Sequence, residues 1–554
     1  MTGAASPAAL DPVTLAVLSG RLERIADEMD ATLYRSAFNP IIAEAHDACH
    51  GLYHRDTGAT LVQGTSGLPI FVGAMAFAVK AVIDAFPRET FAPGQTYLFN
   101  DPYSGGTHLN DFRLIRPVFV DGALFCFLAS VGHWLDIGGN VAGGFNPRAV
   151  DSCQEGVRIP PVLFADRTRI RQDIVAILSA NSRTPDANWG DLNGQLNALD
   201  LGEARFAELI GEMGAGTVEA AFGALTSRAE AMMRAHIAAL PDGRYSVEDK
   251  LDGDGVDDHP LTVALDMTVS GGRLRLDFSR TDPACRGPLN IARATAVAAV
   301  YVALKHVFTD VPANSGVLAP IDIEIAEGSL LAAEAPRPVG GYTETVLRVI
   351  DTVFSAIGEA DPARAQGNPY ATINALSLTG ERETAEGRRR WVMFCFFGGG
   401  LGASSFGDGL SHGNNPISTA VIPPAEILEA AYPVVFRQWA LREGSGGDGE
   451  HRGGLGAIYE IETLTAAEVS LLGERGRFPP KGAAGGGPAA QNKFTIQSAA
   501  GWYAPPAVSK VTGVALEAGQ GVRIESPGGG GWGDPHKRSV ERRERDLALG
   551  FTHP

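Results

Sequence analysis

Residues 105–139, GGTHLNDFRLIRPVFVDGALFCFLASVGHWLDIGG, predict a β-hairpin with polar residues at its open end. Asp121 and Gly122 form a strong two-residue turn signal, and both flanking runs are rich in Val, Ile, Leu and Phe. If these two residues make the turn, Val120 pairs with Ala123 and sets the register of the whole hairpin.

Extending that register outward places Asp111 opposite Gly132, beside His133. Directly opposed residues lie roughly 5 Å apart. His108 precedes Asp111 by three residues in a Gly-rich loop and can fold back over the same spot. Strict alternation would point Asp111 and His133 to opposite faces. We therefore expect the pairing to end or to bulge at Gly132, which glycine tolerates.

Two imidazoles and one carboxylate at one end of a hairpin predict a metal site. A His-x-x-Asp pair alone is common in capping and structural hydrogen bonding, and the convergence with His133 is what favours metal ligation by His108 and Asp111. Three protein ligands leave coordination positions open, which is typical of catalytic sites. Mn²⁺, Zn²⁺ and Fe²⁺ all accept mixed nitrogen and oxygen ligands, and the sequence does not choose among them.

The length and composition predict a multi-domain α+β protein. With 554 residues, 45% of them hydrophobic, the chain is long enough for two to four domains. We expect a mixed α/β metal-site domain with a helical segment at 1–240, a mixed α/β domain at 241–430 and a Gly-rich β domain at 431–554. Pro241-Asp242-Gly243 marks the first boundary.

Charge and hydropathy exclude several classes of function. The net charge of −18 makes nucleic acid an unfavourable partner. No apolar run approaches the roughly 20 residues of a membrane span, and the first twelve residues have neither a basic nor a hydrophobic leader region. The five scattered cysteines form no Cys-x-x-Cys pair and indicate neither a disulfide framework nor a thiolate zinc site. These features predict a soluble cytoplasmic protein.

The periodic patterns predict several helices, whereas the last third of the chain has strand-like segments separated by glycine clusters. Apolar residues at helical spacing predict helices from Pro12 to before Asn39, over 74–86, within 165–240, and over 292–308 and 343–357. Glycine makes up about 12% of the chain (68 of 554) against a usual 7%, and clusters between the later strands. The backbone must therefore make many tight turns and close approaches, and we interpret the clusters between strands as turns. None has the pattern of a phosphate-cradling nucleotide loop.

Five stretches in order resemble the hydantoinase B/oxoprolinase family over nearly the whole chain. They are FNDPYSGGTHLNDFRLIRPVF (99–119), GHWLDIGG (132–139), QEGVRIPP (154–161), GSGGDGEHRGGLG (444–456) and SPGGGGWGDP (526–535). The resemblance implies an ATP-dependent enzyme in which a separate A-type subunit binds ATP. It also implies a divalent metal on this B-type chain, held by a His-x-x-Asp and a later His, which here are His108, Asp111 and His133.

Two segments depart from the family pattern. Residues 44–53 read EAHDACHGLY where many relatives resemble E-R-x-D-F-S-C-A-L-F, so that Glu44 and Asp47 remain but much between and after them differs. Residues 66–73 read SGLPIFVG where many relatives have the His-containing run H-I-P-V-H-L-G. The resemblance therefore does not transfer substrate specificity.

From the resemblance we expect ATP- and metal-dependent opening of a cyclic amide such as a hydantoin, 5-oxoproline or a related lactam, by a heterotetramer with two copies of each subunit. Asp47 or Glu44 is the candidate general base, and Asp136 the candidate to orient His133. Two alternatives stay open: a biotin-independent ketone carboxylase of the acetone carboxylase type, and a non-catalytic scaffold subunit with a structural metal.

Overall fold

The computed structural model describes residues 10–167, 169–385 and 387–552 and has the predicted α+β character, with several sheets in a multi-domain chain. Within these ranges no helix has the length and apolarity to cross a membrane. Of the twelve residues on which the leader expectation rests, residues 1–9 lie outside the described residues. The helices are α1 (Pro12–Ser36), α2 (Pro40–Ala43), α3 (Pro69–Ala85), α4 (Gln172–Ala180), α5 (Pro185–Met213), α6 (Ala215–Ala238), α7 (Arg293–Val307), α8 (Tyr342–Ala360), α9 (Ala425–Ala431) and α10 (Val540–Ala548).

The strands of the described residues form four sheets. In chain order they are β1 (Ala48–His54), β2 (Thr60–Gln63), β3 (Gln95–Phe99), β4 (Asp111–Val120), β5 (Ala123–His133), β6 (Val162–Asp166), β7 (Arg169–Ile170), β8 (Gly243–Leu251), β9 (Leu261–Ser270), β10 (Arg273–Asp277), β11 (Ile321–Glu324), β12 (Ala375–Thr384), β13 (Gly387–Cys395), β14 (Val434–Leu441), β15 (Ala457–Thr463), β16 (Ala467–Leu472), β17 (Lys493–Ser498), β18 (Gly501–Tyr503), β19 (Lys510–Leu516) and β20 (Gly521–Glu525).

The largest sheet has seven strands in the order β2-β1-β5-β4-β3-β6-β7, with antiparallel neighbours throughout. One face packs against α1 and α5, and the other against α3. Helix α1 begins where predicted, because the Asp11 carboxylate accepts the N–H groups of Val13 and Thr14. Helix α3 begins at Pro69, five residues before the predicted start. The central hairpin β4–β5 is therefore covered on both faces.

The second sheet, β11-β10-β9-β8, packs against α8, and α8 in turn packs against α7. The other two sheets, β13-β12-β16-β19 and β14-β15-β20-β17-β18, share one apolar core, as in a β-sandwich. Strand pairing between β12 and β16 joins segments on both sides of residue 430. The domain boundaries at 240 and 430 stay a prediction.

The glycine clusters form a packed bundle in which backbones approach one another closely, as the glycine content predicted, and the interpretation of the clusters as turns alone is wrong. Segments around 367–368, 398–403, 446–454, 482–487 and 527–531 lie against one another and exchange backbone hydrogen bonds, such as Gly529 N–H to the Gly454 carbonyl at 2.9 Å. A Cβ on Gly402 would lie 1.6 Å from the carbonyl oxygen of Gly367. Glycine is required here for the same reason as at the axis of collagen, where only hydrogen fits between neighbouring backbones.

Candidate metal centre

Strands β4 and β5 place Asp111 directly opposite His133. The sequence predicted an offset of one residue, with the two side chains on opposite faces. Opposed residues of an antiparallel pair share a face and lie close together. In the structure the side chains of Asp111 and His133 therefore lie on the same face, and not on opposite faces as the predicted register implied.

A β-bulge beside the turn causes this difference. Val120 pairs with Ala123 as predicted, but the register shifts by one residue between Val118 and Phe119. The predicted irregularity at Gly132 is wrong, because Gly132 continues the ladder. One extra residue in a strand turns every later side chain to the other face. The bulge thereby brings His133 onto the face of Asp111.

His108 completes a triad of buried ligand atoms. Its Nε2 lies 3.0 Å from Asp111 Oδ1 and 3.2 Å from His133 Nδ1, and His133 Nδ1 lies 3.2 Å from the same carboxylate oxygen. The three side chains are at most 4% exposed. The structure thus brings together all three predicted ligand residues.

The electrostatics of the triad suit a cation. Burial alone would raise the pKa of Asp111, but His108 and His133 outweigh it and hold that pKa well below its usual value. Burial lowers the pKa of His108, which favours a neutral imidazole with a free lone pair. Two imidazole nitrogens and a carboxylate oxygen that converge on one point form a donor set that fits Mn²⁺, Zn²⁺ or Fe²⁺.

Thr107 and Arg113 hold the second oxygen and the backbone of Asp111. The Thr107 hydroxyl donates to Asp111 Oδ2, and the Arg113 guanidinium lies 3.8 Å from the same oxygen. Arg113 also donates to Thr107 Oγ1 and to the Asp111 carbonyl, both at 2.6 Å. These two residues leave Oδ1 of Asp111 directed at the imidazoles. Sequence reasoning missed them, although both lie within the TH-LND-FR motif.

Aromatic rings from three distant segments enclose the triad. Tyr342 and Phe145 lie 4.8 and 5.3 Å from the His108 ring, and Phe394 lies 5.5 Å from the His133 ring. Such a wall excludes water and strengthens electrostatic interactions inside the site. No periodicity or motif in the sequence indicates that these three residues meet.

Of the two predicted bases, only Asp47 lies at the centre. Its carbonyl accepts the His133 N–H at 3.1 Å, and nothing in the described part of the chain hydrogen-bonds to its buried Oδ1. Burial raises the pKa of Asp47 to about 7, which His133 opposes and Asp111 reinforces. Glu44, by contrast, is exposed at the end of α2. The structure does not bring Glu44 into the buried centre, because the short helix turns its side chain to solvent.

The expected contact between Asp136 and His133 is wrong. Both carboxylate oxygens of Asp136 are occupied elsewhere, by the N–H groups of Gly138 and Gly143 at 3.2 Å and by the Arg183 main chain and guanidinium at 2.8 and 3.0 Å. The bulged register instead places His133 opposite Asp111, its partner in the β-ladder. Asp136 instead stabilises the Gly-rich loop that leads to Phe145.

The chain is similar to known proteins along nearly its whole length. The Hydantoinase B/oxoprolinase family model matches residues 11–535. The beta subunit of caprolactamase from Pseudomonas jessenii is 30% identical over 98% of this chain and 94% of its own length. 5-Oxoprolinase 1 from Arabidopsis thaliana is 31% identical over 94% of this chain, which spans 42% of that longer protein.

Two solved structures have the same fold. The crystal structure of ATP-dependent caprolactamase from Pseudomonas jessenii matches with a TM-score of 0.89 at 28% identity, covering 99% of this chain and 95% of that one. A nucleotide-free acetone carboxylase matches with a TM-score of 0.87 at 19% identity over 98% of this chain and 78% of that one, a likeness of fold alone. From the match along nearly its whole length, the chain belongs to the hydantoinase B/oxoprolinase family.

Proposed function

We propose that this chain is the metal-carrying B-type subunit of an ATP-dependent amidohydrolase, which opens a cyclic amide together with an A-type, ATP-binding partner. The observation that carries the proposal is the buried triad of His108, Asp111 and His133 in a chain that is similar to caprolactamase throughout. The glycine clusters contain no nucleotide loop, so ATP is assigned to the partner.

The energetics explain why a ring amide would need both ATP and a metal. An amide is a poor electrophile, and hydrolysis can be uphill where ring closure is favoured. Transfer of the γ-phosphoryl group to the amide oxygen releases ADP and activates the amide carbon. Water then adds to that carbon, the C–N bond breaks with protonation of the nitrogen, and a second water releases phosphate from the resulting acyl phosphate.

The residues of the centre have distinct roles in this scheme. His108, Asp111 and His133 would hold a divalent ion, which supplies Lewis-acid chemistry for water and for the amide carbon when it is bound. Asp47 Oδ1 is buried, has no partner among the described residues and lies beside His133, so we assign it the proton from the attacking water. Thr107 and Arg113 orient Asp111, and the aromatic wall excludes bulk water.

The test is an assay of the purified two-subunit complex. The complex is given ATP with either a panel of lactams and hydantoins or a panel of ketones with labelled bicarbonate. We expect ring-opened acid that requires ATP and metal. Label fixed into a ketone, without ring opening, would overturn the proposal in favour of a carboxylase.

A separate experiment tests the assignment of ATP to an A-type partner subunit. We expect the chain to co-purify with an A-type subunit as a heterotetramer of two copies each, and not to bind ATP by itself. Calorimetry of the isolated chain with ATP measures the second point. Micromolar affinity would contradict the assignment of ATP to the partner.

A further inference from the structure

Helix α5 presents buried polar side chains to the hairpin that carries the triad. Asp191 and Gln195 are both 0% exposed and lie one helical turn apart, so they share one face of the helix. A buried amide or carboxylate destabilises the fold unless its polar atoms are hydrogen-bonded. The groups that these two side chains contact therefore show what the polar face of α5 holds in place.

Gln195 forms hydrogen bonds with both strands of the hairpin. Its Nε2 donates to the Phe112 carbonyl in β4 at 3.0 Å and to the Ser130 hydroxyl in β5 at 3.3 Å. Its Oε1 accepts the indole N–H of Trp134, the residue that follows β5, at 3.2 Å. One side-chain amide thus fixes the open end of the hairpin through both its donor and its acceptor atoms.

Two of the residues that Gln195 contacts are direct neighbours of triad residues. Phe112 follows Asp111 in β4, and Trp134 follows His133 at the end of β5. The rings of the two neighbours stack with centroids 3.8 Å apart and planes 9° apart, in the apolar cluster that includes α5. Since successive side chains of a strand point to opposite faces, the triad side chains face away from α5. A shift of the stacked rings would therefore move the Asp111 carboxylate and the His133 imidazole.

Asp191 reaches the same end of the hairpin through the segment that follows α1. Its Oδ1 accepts the N–H groups of Phe38 and Asn39 at 2.8 and 3.1 Å. The Asn39 side-chain amide donates in turn to the His133 carbonyl at 3.0 Å. Helix α5 therefore holds His133 from two directions, through its carbonyl and through the indole that follows it.

We propose that Gln195 is a positioning residue of the metal centre, and that its amide keeps Asp111 and His133 in the geometry that a divalent ion requires. This inference rests on the proposed function, since it requires a metal at the triad. The amide acts through Phe112 and Trp134 and not on the ion itself. Groups that support metal ligands in this way contribute about 10- to 100-fold to metal affinity.

The test measures Mn²⁺ binding by the full chain, with calorimetry for the affinity and electron paramagnetic resonance for the geometry around the bound ion. Gln195→Met keeps the length of the side chain but removes its hydrogen bonds, so we expect Mn²⁺ to bind about tenfold or more weakly and its zero-field splitting to change. Asn188→Leu is the matched control, because Asn188 is a buried amide of the same helix that donates to the Asp136 carbonyl at 2.7 Å. We expect its Mn²⁺ affinity and spectrum to equal those of the wild type.

A milder variant tests the inference even if Gln195→Met fails to fold. Trp134→Phe retains the stacked ring but loses the indole N–H, and we expect Mn²⁺ affinity to fall about fivefold, as for loss of one hydrogen bond. Wild-type affinity and spectrum in either variant, or equal losses in Asn188→Leu, would overturn the inference. If the wild type itself binds no Mn²⁺, the metal assignment of the proposed function fails as well, so the two failures are distinguishable.

Discussion

The candidate metal centre and the glycine bundle have opposite packing requirements. At the centre, a few side chains with specific chemistry converge, and the triad atoms lie 3.0 to 3.2 Å apart. In the bundle, the absence of side chains is what matters, since a Cβ on Gly453 would lie 1.8 Å from the carbonyl oxygen of Gly529. The candidate centre depends on the side-chain atoms that are present, whereas the packing of the bundle depends on the absence of side chains. Substitutions should therefore abolish chemistry in one region and stability in the other.

The largest effect is expected at the triad. Asp111→Ala should remove the metal and lower activity by more than about 10²-fold, since mutation of mere supporting groups around a metal already costs 10- to 100-fold. Elemental analysis and the ring-opening assay measure the two effects. Asp121→Asn, at the exposed turn of the same hairpin, is the control. Full metal occupancy in Asp111→Ala would contradict the assignment of the triad as the metal ligands. The same result in His108→Ala or His133→Ala would also contradict it.

Substitutions in the glycine bundle should instead lower the free energy of unfolding. Gly402→Ala forces a methyl group against the Gly367 backbone, and we expect a loss of about 3 kcal/mol or more in the free energy of unfolding. Gly407→Ala is the matched control from the same segment, because nothing lies within 4 Å of the position of its added Cβ. Denaturant melts measure both variants. Equal stabilities would show that the bundle is not close-packed at this point.

A third substitution separates chemistry from metal binding within the centre. Asp47→Asn should lower turnover by roughly 10²-fold or more while metal content stays intact, as expected for loss of a general base. Turnover of the complex and elemental analysis are both required. Loss of metal together with activity would make Asp47 a ligand rather than a base.

The smallest effect concerns Glu155, which ties the metal-site loop to the start of α8. Its pKa is raised by burial from 4.5 to about 8, so the folded state binds its proton more tightly than the unfolded state does. This contribution to stability is present below about pH 4.5 and is lost as pH rises toward 8. Stability of Glu155→Gln relative to the wild type should thus rise with pH, by about 1 kcal/mol per unit between roughly pH 5 and 7.

Urea melts of both proteins at several pH values measure this difference. A constant difference across the window would contradict the raised pKa of Glu155. Glu89→Gln, at an exposed position, is the control for the Glu-to-Gln substitution itself.

Short-range patterns in the sequence predicted much of the fold and the meeting of the three triad residues. Helix α1, the turn at Asp121 and Gly122, and the choice of the triad residues follow from capping, turn chemistry and residue type, which act over a few residues. The start of α3 was missed because the helix begins at Pro69 without a side-chain cap. The bulge beside the turn was missed because no turn or glycine signal marks it.

The sequence by itself determined the family, the α+β class and the identity of the three triad residues, because each depends on residue types at fixed spacing. Only the tertiary structure decided which groups surround the triad. Tyr342 and Phe394 lie more than 200 residues from His133 in the chain, and Glu44, only three residues from Asp47, turns to solvent. The physical reason is that burial and contact arise when separate segments pack together, and no local pattern encodes that meeting.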